Sequence, residues 1–281
     1  MEMVATISDK EFKQIRELVY SRFGINLTEK KRALVTGRLN KVLRDRGFTS
    51  FQAYLDDLKA DESGKGLSLL VDRISTNHTY FYREPDHFTY FEKTVLPELI
   101  QKQRSMGGKS LRIWVAGCSS GEESYMLAML IREALGREFK NWDVGLLATD
   151  ISTVALEKAI NGVYNKDNIT HLPPSLKNRY FKKTDSGDYS VDESLREMIL
   201  HRRLNLMRKS FPFKGKFQAI FCRNVMIYFD NVTREELLRK FAAVMEPDAF
   251  MFIGHSETLG RNNPQFEYIM PAAYRRAERA I

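Results

Sequence analysis

Leu111–Val115 is a short apolar run that enters the turn Ala116-Gly117-Cys118-Ser119-Ser120-Gly121, and a helical stretch follows from Glu122 to Leu135. Strand, glycine turn, helix is the opening of a parallel βαβ unit, and the turn lies at the sheet edge where open α/β proteins bind ligands. The glycines are spaced Gly-x-x-x-Gly, not the Gly-x-Gly-x-x-Gly of dinucleotide binders. A helix N-terminus holds pyrophosphate with its free amides, but here the helix opens on Glu122 and Glu123, whose carboxylates repel phosphate. The turn therefore suits a nucleoside with a free ribose or a cationic ligand. It also suits a purely structural role, a tight turn whose acidic residues complement the helix dipole.

Outward from this turn the alternation continues. Val144–Ala148 is a second strand, ending at Asp150, and Val154–Ile160 resumes helical spacing. Phe217–Cys222, the helix Arg234–Met245 and the strand Phe250–Ile253 extend the pattern. Strands alternating with helices predict an α/β fold with a doubly wound, mainly parallel sheet, Rossmann-like. Phe88–Gln103 reads as a connecting helix and Met106-Gly107-Gly108 as the break before the sheet. His171–Asn205 fits poorly. Its Pro173-Pro174, polar turn Thr184–Asp188 and Tyr189–Val191 predict a small antiparallel β-subdomain inserted at about 171–205.

Upstream, apolar spacing predicts helix after helix. Phe12, Ile15, Val19 and Phe23 follow Ser8 and Glu11, a capping box, and Gly24 ends the helix. Thr28 is read as the cap of a second helix with the stripe Val35, Leu39, Val42 and Leu43, stopped by Gly47. Phe51, Tyr54, Leu55 and Leu58 mark a third, and Leu67, Leu70, Val71 and Ile74 a fourth. The expected division is a small all-helical domain over 1–85 and an α/β domain over 86–281.

The 281 residues, 43% hydrophobic and 28% charged, exclude a disordered chain and suffice for a large core. No apolar run approaches the ~20 residues that span a bilayer, and Met1 to Ile7, with Glu2, is too short for a secretory signal. Two cysteines, Cys118 and Cys222, make no disulfide framework and no CxxC zinc pair, which places the chain in the reducing cytoplasm. Lys and Arg exceed Asp and Glu by 44 to 36, a net charge of +8 compatible with an acidic partner or with an ordinary basic surface.

Three further stretches bear on chemistry. Asp150, ending the second strand, is placed to accept hydrogen bonds from ribose hydroxyls, or equally to cap the helix that begins near Ser152. With a turn that lacks phosphate character, it points to S-adenosylmethionine, which has adenine, ribose and a sulfonium but no phosphate. Phe221-Cys222-Arg223-Asn224-Val225-Met226-Ile227-Tyr228-Phe229-Asp230 is a strand running into a loop too apolar for ordinary surface, with Arg223 and Asn224 at the ligand-lining edge. A buried strand and helix start, with Tyr228 a core phenol, explains the same pattern. Ser75–Glu84 is dense in polar and aromatic residues where the helical domain ends. His78 and His87 share no ligand-spaced acidic cluster, so no metal is expected.

Four blocks together, Thr76–Glu84, Ala116–Glu123, Phe221–Asp230 and Gly254-His255-Ser256-Glu257, resemble the chemoreceptor glutamate methyltransferases, the CheR family, over nearly the whole chain. The resemblance implies transfer of a methyl group from S-adenosylmethionine to receptor glutamate carboxylates, giving methyl esters and S-adenosylhomocysteine for adaptation in bacterial chemotaxis. It implies cofactor contacts at Asn77, Thr79, Arg83, Glu123, Asp150, Asn205, Leu206, Arg223 and Asn224, with Arg83 and Tyr228 beside the transferred methyl. It implies a cytoplasmic enzyme recruited to membrane receptor arrays. Ser124 stands where the family commonly has proline. The stretch Lys182–Asp188 is short, with a single glycine, and looks like the class that needs no C-terminal receptor pentapeptide as a tether.

The second helix carries Lys30, Lys41 and Arg44 opposite its apolar stripe, with Arg38 flanking. An isolated basic face is commonly just solvated, but an acidic receptor region makes it a substrate-docking surface. Two rival readings remain at this stage. A nucleic-acid methyltransferase is opposed by the absence of an Asn/Asp-Pro-Pro-aromatic site, since Pro173-Pro174 is followed by Ser175. A non-catalytic adaptor of the same fold is tested by whether S-adenosylhomocysteine binds.

Overall fold

The computed structural model describes residues 5–75, 77–260 and 263–278. Thr76 of the Thr76–Glu84 block lies outside them, as do the extreme ends of the expected 1–85 and 86–281 divisions. Elements are numbered in chain order.

Four helices, α1 (Asp9–Phe23), α2 (Arg32–Arg46), α3 (Phe51–Ala60) and α4 (Lys65–Ile74), pack around one core. Every stripe residue expected for the first three helices is buried, from Phe12 to Leu58. The Ser8–Glu11 capping box forms: the Glu11 amide donates to Ser8 Oγ at 3.3 Å, and Glu11 Oε2 accepts from the Ser8 amide at 2.8 Å. Thr28 is a correction. Its side chain caps nothing, because an i+3 bond from the Lys31 amide to the Thr28 carbonyl (2.9 Å) closes a 3₁₀ turn over Glu29–Lys31, and α2 starts only at Arg32. Lys30 therefore belongs, with Lys31, to that tighter turn and leaves the α2 wheel.

The connecting helix is longer than its apolar spacing predicts. It runs as α5 (Pro85–Tyr90), a π turn (Phe91–Val95) and α6 (Leu96–Ser105). Pro85 starts it, since proline suits the first helical turn. Pro97, which has no amide to donate, lies just past the π turn.

The central sheet contains β1 (Ser110–Ala116), β2 (Asp143–Asp150), β6 (Ile199–Arg203), β7 (Phe217–Cys222), β8 (Met245–Ile253), β9 (Phe266–Met270) and β10 (Ala273–Arg276). Its order is β6-β2-β1-β7-β8-β10-β9, with β6 through β8 parallel and β10 antiparallel to both neighbours. The expected doubly wound, mainly parallel sheet is present. Winding reverses between β1 and β7, so a crevice opens at the carboxyl ends of these strands. β1 has helices on both sides: Leu111, Ile113 and Val115 join the core with α6 and α7 (Glu122–Leu135), whereas Trp114 and Ala116 join the core with α11 (Asn231–Ala243). Burial on both faces explains why β7 is apolar almost throughout.

The antiparallel excursion has other borders than 171–205. β3 (Val163–Tyr164), β4 (Phe181–Lys183) and β5 (Tyr189–Val191) form a three-stranded sheet of order β3-β5-β4, so it begins right after α8 (Thr153–Asn161). It carries the short helices α9 (Pro174–Tyr180) and α10 (Glu193–Arg196). Ile199–Arg203 leaves it and pairs with β2 as the edge of the main sheet. An edge strand with two arginines and an exposed Leu200 has no apolar run by which to be read.

Candidate active site

The crevice encloses about 390 Å³. Asn77, Thr79, Arg83, Glu123, Asp150, Asn205, Leu206, Arg223, Asn224 and Tyr228 all line it, although their sequence positions span most of the chain. Phe23, Ile25, Leu27, Lys31 and Leu34 line it from the helical domain. Arg38, Lys30, Lys41 and Arg44 are not among its walls. Lys30, Lys41 and Arg44 are exposed, whereas Arg38 is half-buried and donates to the Ile74 carbonyl at 2.7 Å, closing α2 onto the end of α4.

The glycine turn is built around backbone contacts. Gly117 has φ +93°, and a Cβ there would lie 2.4 Å from Val225 Cγ2. The amides of Gly117 and Cys118 both donate to the Thr149 carbonyl, at 2.7 and 2.9 Å. The Ser119 amide donates to Asp150 Oδ2 at 2.8 Å, and the Ser152 amide to Asp150 Oδ1 at 2.9 Å. The amides of Gly117, Cys118 and Ser119 are thus engaged within the protein and not offered to a phosphate. Asp150 stands at the crevice with its pKa raised: burial outweighs the amide donors. The cap of α8 is Ser152, whose Oγ accepts from the Ala155 amide at 3.1 Å.

Arg223 is the electrostatic centre. Its side chain is 2% exposed, it donates to Glu123 Oε2 at 2.5 Å, to the Arg83 carbonyl at 2.5 Å and to Glu84 Oε2 at 3.0 Å, and it lies over the Phe88 ring at 5.1 Å. Burial raises the Glu84 pKa, but Arg223 and the donors from Asn224 and His255 more than reverse this and hold it below the ordinary value. For Glu123 burial wins over the same arginine, and its pKa is raised.

The loop after β7 is held from the neighbouring strand end. Glu257 Oε2 accepts from the amides of Gly254 (2.6 Å) and Asn224 (2.9 Å), and Oε1 accepts from the Ile227 amide (2.9 Å). A Cβ on Gly254 would meet Asn224 Nδ2 at 2.3 Å. Four of the six described non-glycine residues with positive φ, Tyr82, Glu84, Ser119 and Asn224, belong to these site loops, where strained backbone is held by surrounding contacts.

Two hydrogen bonds join the helical domain to this loop, the Asn26 amide to the Tyr228 carbonyl (2.8 Å) and Tyr20 OH to Asp230 Oδ2 (2.7 Å), and Asn205 Nδ2, just after β6, donates to the Arg22 carbonyl (2.8 Å). Arg83 donates to the His78 carbonyl at 2.7 Å, which folds its guanidinium back along its own loop. Glu84, Glu257 and Lys31 were not singled out by sequence reasoning. Glu84 ends the Thr76–Glu84 block and Glu257 the Gly254–Glu257 block, but nothing local marks either as a clamp.

Glu84, His87 and His255 bring ligand-type atoms within 4.8 Å of one another. Arg223 and Asn224 already hold the Glu84 oxygens. The His87 pKa is pushed down to about 3 by burial, then by Arg223 and His255. A guanidinium in contact with the carboxylate opposes a second cation there.

A crevice at the switch point, with engaged turn amides, an acidic residue at the β2 end and a glutamate at the helix start, fits a nucleoside cofactor without phosphate; the fold and site define an S-adenosylmethionine-dependent methyltransferase. Residues 10–75 match the CheR methyltransferase all-alpha domain and residues 77–274 the CheR methyltransferase SAM binding domain. The chain is 44% identical to a chemotaxis protein methyltransferase of Borreliella burgdorferi over 96% of its own length and 95% of that protein's. It is 37% identical to that of Escherichia coli K12, covering 92% and 88% of the two chains. With the Salmonella typhimurium protein the identity is 38%, over 89% and 84%. The chain belongs to the CheR methyltransferase family.

Proposed function

We propose that the chain methylates glutamate side chains of chemotaxis receptors, forming methyl esters. The observation that carries this reading, beyond family membership, concerns bases. The carboxylates that line the crevice are engaged, Glu123 by Arg223 and Asp150 by two amides. With both crevice carboxylates engaged, an acceptor that arrives already nucleophilic suits the site. A glutamate with a solution pKa near ~4.3 is such an acceptor at neutral pH.

The bound cofactor supplies an electrophilic methyl carbon on a sulfonium. An acceptor carboxylate oxygen bonds to that carbon as the carbon–sulfur bond breaks, its electron pair stays on sulfur, and no proton moves. Alignment is then the main task, and positioning is worth ~7–11 kcal/mol. In this reading Asn77, Thr79, Glu123, Asp150, Asn205, Leu206, Arg223 and Asn224 bind the cofactor. Arg83 shapes and anchors that pocket, and the Tyr228 hydroxyl orients the acceptor. A very strong ion pair to the acceptor is disfavoured, since its charge vanishes in the transition state.

The helical domain, 1–85 in this reading, docks the receptor's acidic methylation region through Lys30, Lys41 and Arg44, with Arg38 bracing α2. Between β4 and β5 the turn is tight, closed by the Thr184 amide on the Asp188 carbonyl at 2.9 Å, which supports action without a pentapeptide tether. No described helix is long and apolar enough to cross a membrane, and we place the enzyme in the cytoplasm, recruited to receptor arrays. The test is methylation of receptor-containing membranes with labelled cofactor. Alkali-labile methanol release is expected; label in RNA, or none in receptor, overturns the proposal.

A further inference from the structure

We infer that Lys31 recognises the acceptor carboxylate, a specificity-determining contact that the helical domain makes across the crevice from Tyr228; the inference rests on the carboxylate methylation proposed above. Lys31 ends the 3₁₀ turn Glu29–Lys31 and lines the crevice, with its Nζ 5.0 Å from the centroid of the Tyr228 ring. The adjacent acid, Glu29, is shared by Arg16 at 3.1 Å and Arg32 at 3.7 Å. Lys31 has no carboxylate partner among the described residues, although it is half-buried. Burial alone pushes its pKa down, the mark of an ammonium partly stripped of water with no anion in return.

An arriving carboxylate supplies the missing charge at the place where Tyr228 also points into the crevice. Leu34 and Ile227, 46% and 41% exposed, line the same opening and offer apolar flanks to an acceptor segment. The ring of Tyr228 holds the ammonium in place before the acceptor enters. Methyl transfer erases the acceptor's charge, so the grip is lost on the ester and the product is free to leave. Lys31 is thus expected to act on capture of the acceptor more than on the chemical step.

The test is steady-state methylation of receptor membranes by the full chain carrying Lys31→Met, Lys31→Arg or, as a remote charge control, Lys10→Met. Lys31→Met is expected to raise the receptor KM on the order of tenfold to a hundredfold, with a smaller change in kcat. S-adenosylhomocysteine affinity, read by calorimetry, stays within about twofold, Lys31→Arg recovers most of the loss, and Lys10→Met leaves KM within about twofold. The wild-type KM is expected to rise toward alkaline pH as Lys31 loses its proton, and Lys31→Arg to abolish that rise. An unchanged KM in Lys31→Met, with the wild type active, overturns the inference alone. So does a parallel loss of S-adenosylhomocysteine affinity. A wild type that forms no alkali-labile ester overturns this inference and the proposed function together.

Discussion

Replacing Arg223 by Met removes the cation that lets Glu84 and Glu123 share one buried site. The guanidinium contacts Glu123 at 2.5 Å, Glu84 at 3.0 Å and the Arg83 carbonyl at 2.5 Å, from a side chain 2% exposed. Breaking such a buried pair by removing one partner costs about 3–5 kcal/mol, because the remaining charges are left uncompensated. The sign of the pH dependence follows from the carboxylates. In the wild type the Glu84 pKa is lowered, so its contribution is present above the unfolded value and is lost as pH falls through the folded one. In the variant the guanidinium no longer opposes burial, with only weaker donors such as Asn224 and His255 left at Glu84, so the folded pKa values of both acids rise and the variant loses stability as pH increases. The gap between the two proteins is therefore widest near about pH 8 and narrows toward about pH 5, by about 1.4 kcal/mol per unit of carboxylate pKa change. Urea unfolding followed by fluorescence of buried Trp114 reads it. Arg223→Lys recovers little, since one ammonium does not reproduce a fork that serves two carboxylates and a carbonyl. A gap under about 1 kcal/mol, or one constant between about pH 5 and about pH 8, refutes the reasoning.

Gly117→Ala puts a methyl 2.4 Å from Val225 at φ +93°; calorimetry should show S-adenosylhomocysteine affinity reduced by about tenfold or more, with circular dichroism unchanged. Glu257→Gln leaves one acceptor oxygen where a carboxylate serves three amides. It is expected to cost about 1–3 kcal/mol and to speed hydrogen exchange at Asn224 and Ile227, while native-like protection there counts against the clamp. Charge reversal at Lys41 and Arg44 is expected to weaken receptor methylation and spare S-adenosylhomocysteine binding, and equal loss of both contradicts a docking role.

What local sequence determined here is what neighbours in the chain decide. The Ser8–Glu11 box and the stripes of α1 to α3 follow from helical period alone. The turn at Gly117 and the start of α7 at Glu122 follow from backbone sterics, and the apolar β7 from burial on both faces. The quoted stretches also contain Asn77, Thr79, Arg83, Glu123, Asp150, Arg223, Asn224 and Tyr228 of the crevice, whereas Asn205 and Leu206 followed only from the family resemblance. The tertiary structure alone decided the rest. Ile199–Arg203 is a strand because β2 offers it an edge, not because its own residues favour one. Glu257 is a clamp because β7 and β8 end side by side, 33 residues apart at Asn224. Lys31 faces Tyr228 because a 3₁₀ turn replaces the first turn of α2 and the helical domain docks on the loop after β7. Charge, burial and hydrogen bonding between distant segments depend on where the sheet brings them, and no local pattern carries that information.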